Sequence, residues 1–74
     1  MNIFVIDKVS KRNLAIIDFT PKKEDRIHLV DSFGREIECI VECLLFEPKE
    51  RNILIFVSVV EPYYSAMVKE IVWQ

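Results

Sequence analysis

The side chains in this sequence that could do chemistry are Cys39 and Cys43, the single histidine His28, and the glutamates Glu36, Glu38, Glu42, Glu47 and Glu50. On a helix the two thiols would suit a metal. Their β-branched surroundings read instead as a strand, where they share a face but stand roughly 13 Å apart, too far for a disulfide. Both are expected to be buried structural thiols. His28 has no second ligand and no Ser/His/Asp order around it, so it is expected on an edge strand without a catalytic role. Paired glutamates could act as acid and base on a glycosidic bond. Strand alternation places Glu36, Glu38 and Glu42 together on the solvent side, as an acidic ridge that favours a basic partner surface. No catalytic, cofactor or metal site is predicted.

Binding residues are easier to nominate. Tyr63, Tyr64 and Trp73 have the large apolar body and polar tip that interfaces favour, and Phe46 and Phe56 add apolar area. Lys11, Arg12, Lys22 and Lys23, with Lys8, fall in loops that could share one end of a barrel and contact single-stranded RNA.

These residues must be positioned by a β framework. From Arg35 the chain reads REIECIVECLLF, then EPKERN, then ILIFVSVV, two apolar runs around a charged, proline-bearing linker. That is a hairpin of two antiparallel strands. In the first strand Ile37, Cys39, Val41, Cys43 and Leu45 are expected inward, leaving Leu44 and Phe46 on the second face. In the second, Ile53, Ile55, Val57 and Val59 fill one face, while Leu54, Phe56 and Val60 make the other apolar too. A strand greasy on both faces is central and covered on both sides.

Before the hairpin, Ile3–Ile6 and Leu14–Phe19 read as two strands joined by the polar stretch KVSKRN, and Thr20-Pro21 stops the second. The mixed charges of KKEDR read as a solvated loop. Ile27–Val30 is a short strand with Ile27 and Leu29 inward and His28 outward. DSFGR is a turn in which Gly34, the only glycine, supplies a positive φ. After Pro62 a helical turn is expected over residues 62–66 and a closing strand over 68–73. The fold class is therefore all-β: a six-stranded antiparallel barrel with one helical turn.

The 74 residues bound this to one domain. Surface scaling leaves about 63% of the unfolded surface buried, a marginal core for a chain that is 51% apolar, so part of that apolar surface must remain exposed. A net charge of −2 disfavours holding nucleic acid by bulk charge. No apolar run approaches a membrane span and no basic-then-apolar leader opens the chain, so a cytoplasmic location with reduced thiols is expected.

Taken in order, the elements resemble the second-domain β-barrel of translational GTPases of the elongation factor Tu type. FVIDKVSKRNLAIIDF covers that family's first two strands, with Lys11-Arg12-Asn13 where its glycine turn would be. KEDRIHLVD matches the entry to the third strand, Asp25 standing at the family's aspartate. SFGREIECIVECLLF matches its hairpin and long strand with Gly34 and Phe46, RNILIFVSVV its fifth strand through Asn52 and Ile53, and MVKEIVW its closing strand. The resemblance implies a barrel that contacts RNA and protein. It implies no nucleotide chemistry, because the chain has no Gly-x-x-x-x-Gly-Lys-Ser/Thr loop.

The function expected is a non-enzymatic interaction module, bound to a protein partner or to itself through apolar and aromatic surface, without a cofactor. The alternatives are an RNA- or ribosome-associated module, or a small acidic inhibitor of the immunity type.

Overall fold

The computed structural model describes residues 1–73. Five strands form one curled sheet in the order β2-β1-β5-β4-β3: β1 Asn2–Asp7, β2 Asn13–Ile17, β3 Arg26–Val30, β4 Glu36–Glu47 and β5 Asn52–Val60. A helical turn, α1 (Tyr64–Met67), follows and tightens into a 3₁₀ turn over Val68–Glu70. The predicted β4–β5 hairpin is the longest pairing, and β5 is central as expected.

The architecture departs from the predicted barrel in three ways. Among the described residues there are five strands, not six. β1 lies parallel to β5, from Asn2↔Asn52 to Asp7↔Val57, so the sheet is mixed. It is also a half-barrel rather than a closed one, with β2 and β3 as free edges. The expected closing strand is absent because the tail is held in helical turns: Ile71 N–H donates to the Val68 carbonyl, and Lys69 Nζ sits 3.6 Å from Glu36. The helical turn itself falls close to its predicted place.

Loops are built on aspartates more than on glycine. Asp7 accepts from Val9 N–H at 3.0 Å and from the Ser10 hydroxyl at 2.8 Å, and Lys11 takes the positive φ of 62°. Asp31, nearly buried, accepts from Phe33 and Arg35 N–H at 2.9 Å each, while Gly34 takes φ 80°, as expected. Asp25 accepts from Lys22 N–H at 2.8 Å beside Glu24 at φ 76°. A short polar side chain that mimics a backbone acceptor is what such turns need.

The core is the concave face of the sheet: Val5, Ile27, Leu29, Cys39, Val41, Ile53, Ile55 and Val57. Ile27 and Leu29 point inward and His28 outward, as predicted. β4 keeps its predicted phase only as far as Val41. A β-bulge between Val41 and Cys43 inserts Glu42, and beyond it Leu44 pairs with Ile55 and Phe46 with Ile53 on the core side. Cys43 and Leu45 therefore turn outward, the reverse of the expectation, and Cys43 is exposed. A bulge adds one residue to one strand, and with a side-chain period of two that swaps the faces.

Candidate functional site

The convex face of the sheet divides into a latched half and a bare half. In the latched half α1 lies against β4. Glu38, expected on an acidic solvent ridge, is instead only 2% exposed. Its carboxylate accepts from Ser65 N–H and from Arg26 Nε, each at 2.7 Å. The Ser65 amide, then the Arg26 guanidinium, hold its pKa down at about 2. Arg26 also lies 4.9 Å from the Tyr64 ring centroid, and Tyr63 meets Tyr64 edge-on at 5.0 Å. Glu38 thus ties the tail to the sheet. Glu36 and Glu42 keep the solvent positions predicted for them: Glu36 faces His28 and Lys69, and Glu42 faces Lys8.

The bare half is set by strand register. Ile16, Phe4, Leu54 and Leu45 form one cross-strand row over β2, β1, β5 and β4, and Ile6, Phe56 and Cys43 form the next. Paired residues share a face, so all seven stand together, opposite the core. Ile16 is 63% exposed and Leu45 48%, while Phe4, Ile6, Leu54 and Phe56 are half-buried against one another. The rows end at Glu42, which accepts from the Ser58 hydroxyl at 2.7 Å and pairs with Lys8 at 3.5 Å. The Ser58 hydroxyl chiefly, then Lys8, lower its pKa, and Lys23 adds to this.

The residues nominated from sequence are scattered. Phe56 belongs to the bare rows. Phe46 is exposed at the end of β4 but on the core side. Tyr63 and Tyr64 sit on the latch, and Trp73 lies beyond it, 78% exposed. Of the basic set, Lys23 acts on Glu42, whereas Arg12 lines a cleft of about 560 Å³ between the β1–β2 and β3–β4 turns, with Asp7, Asp31, Arg35 and Glu36. Lys22 donates its backbone N–H to Asp25, and Lys11 holds the β1–β2 turn. Phe4, Ile6, Ile16 and Leu45 were missed as a surface. The signal for Phe4, Ile6 and Ile16 was present in IFVI and LAII, apolar at consecutive positions and therefore on both faces, whereas Leu45 reaches this face only through the bulge after Val41.

Among the described residues no cluster of three or more His, Cys, Asp or Glu is arranged to hold a metal, and no helix is long and apolar enough to cross a membrane. Cys39 is buried, and burial, reinforced by the nearby charge of Glu38, raises its pKa to about 11. Compared with known proteins, the chain matches no family model, no curated sequence and no solved structure. Nothing in the fold ties it to the second-domain barrel of translational GTPases.

Proposed function

We propose that this chain is a non-enzymatic interaction module that docks a protein partner on the bare convex face of its sheet. The observation that carries the reading is the pair of apolar cross-strand rows, with Ile16 and Leu45 largely exposed. Soluble monomers seldom leave a contiguous apolar face of this kind uncovered unless something binds there.

Its shifted carboxylates support a binding role over a catalytic one, because each is engaged in holding the chain. Asp7 and Asp31 organise turns, Glu38 latches the tail and Glu42 takes the Ser58 hydroxyl. A thiol with its pKa raised to about 11 is a poor nucleophile. A net charge of −2, with Lys8 paired to Glu42, weighs against phosphate binding.

The test is affinity capture from the native host with and without nuclease, using the natural chain and Leu45→Glu. A protein recovered in both preparations by the natural chain and lost with the variant supports the reading. Recovery abolished by nuclease, or unchanged by Leu45→Glu, overturns it.

A further inference from the structure

The two apolar rows of the convex face have unlike borders. On one side Glu42 is held by the Ser58 hydroxyl at 2.7 Å and by Lys8 at 3.5 Å. On the other side the register continues for one more row. Glu47 pairs with Asn52 and Asn52 with Asn2. Each lies two residues along its strand from Leu45, Leu54 and Phe4, so all three share the convex face. The register that pairs Ile3 with Ile17 carries Asp18 toward Asn2, two residues beyond Ile16. Asp18 therefore ends this row at β2 as Glu47 ends it at β4.

This second border is acidic and unanswered within the chain. Asp18 is exposed and Glu47 half-buried, and among the described residues neither forms an ion pair. Three strand spacings separate them, roughly 14 Å. A second copy of the chain does not supply the missing cations. Two convex faces stacked about a two-fold axis along the strands set Asp18 of each copy against Glu47 of the other. An axis across the strands sets Glu47 against the Glu42 border. In either stack Glu47 meets a carboxylate, and like charges brought together oppose an interface. The core fills the concave side, so both stacked surfaces are convex and meet over little area.

We propose that the occupant of the convex face is a different protein, apolar at the centre of its contact surface, with two Lys or Arg side chains along one side that pair with Asp18 and Glu47. Those two cations stand roughly 14 Å apart, as the carboxylates do. The proposal rests on the docking reading and adds to it the partner's charge pattern and the way round in which the partner seats. The apolar rows supply contact area. The acidic border sets orientation, because on the opposite border Glu42 is already taken by Ser58 and Lys8. Charges at an interface rim act in this way, on encounter and register more than on affinity alone.

The test is affinity capture from the native host with the natural chain and three variants: Asp18→Lys with Glu47→Lys, Glu61→Lys with Glu70→Lys, and Leu45→Glu. Glu61 and Glu70 are exposed, one just after β5 and the other in the tail, and neither forms an ion pair among the described residues. Their reversal makes the same change in net charge away from the border. The border reversal should recover the partner at least about tenfold less well, since it turns two attractions into two repulsions. The tail reversal should match the natural chain. Circular dichroism checks each fold, and the milder Asp18→Asn with Glu47→Gln should fall between the natural chain and the border reversal. A border reversal that recovers the partner undiminished, or a tail reversal that weakens recovery equally, overturns the proposal. The docking reading then still stands if Leu45→Glu abolishes recovery. Recovery that Leu45→Glu leaves unchanged, or no recovered partner at all, overturns the docking reading and this proposal with it. Sedimentation velocity tests the second copy: dimers of the natural chain that Leu45→Glu dissolves would make that copy the occupant and overturn the proposal.

Discussion

Thiol labelling of the two cysteines tests the β4 bulge directly. Without the bulge, Cys39 and Cys43 would share one face and react alike. With it, Cys39 lies in the core at 0% exposure and Cys43 on the convex face. Burial raises the Cys39 pKa to about 11. At pH 8 its thiolate fraction is then roughly a hundredfold below that of an ordinary thiol, and the thiolate is the reacting species. Steric closure lowers the rate further, because the reagent reaches Cys39 only when the sheet opens. Labelling with an excess of reagent, read by mass spectrometry, should show one fast site and one at least about a hundredfold slower. Peptide mapping should assign the fast site to Cys43, and denaturant should equalise the two. Equal native rates, or a fast Cys39, would refute the bulge and the face assignment that follows from it.

Ile55→Ala, at the centre of β5, should lower stability by about 2–4 kcal/mol in urea unfolding, while Glu50→Ala in the β4–β5 turn should stay within about 0.5 kcal/mol. Gly34→Ala meets no atom within 4 Å, so its cost is conformational, about 1–2 kcal/mol for a positive φ, with no new clash. Glu38, whose folded pKa is depressed from 4.5 to about 2, contributes stability that is present above pH 4.5 and lost as pH falls through 2. An acid titration should therefore loosen the tail within that window, read by faster amide exchange at Ser65. Glu38→Gln should loosen it at neutral pH and remove the acid step.

The β4–β5 hairpin, the inward phase of β3 and the Gly34 turn follow from local patterning, and each was readable. Alternation of period two marks strands and faces as long as nothing interrupts it. The bulge at Glu42 interrupts it without announcing itself, since one extra residue changes phase but not composition. The burial of Glu38 was unreadable for a different reason. Its partners, Arg26 and Ser65, lie 12 and 27 residues away, and a carboxylate with satisfied acceptors can be buried where alternation predicts solvent. That same contact holds the tail in helical turns although VKEIVW has strand character, so the sixth strand failed with the ridge. The parallel β1–β5 pairing is a long-range choice that neither run encodes alone. The convex apolar rows depend on it, because only that pairing brings Phe4 and Ile6 beside Leu54 and Phe56.

Cys43 stands within those rows and so reports on what covers them. The most direct test of the docking reading is its labelling rate in the free protein and in the complex captured from the host. Labelling should be fast in the free chain and strongly suppressed in the complex. An unchanged Cys43 rate in a complex of demonstrated occupancy would contradict docking on the convex face.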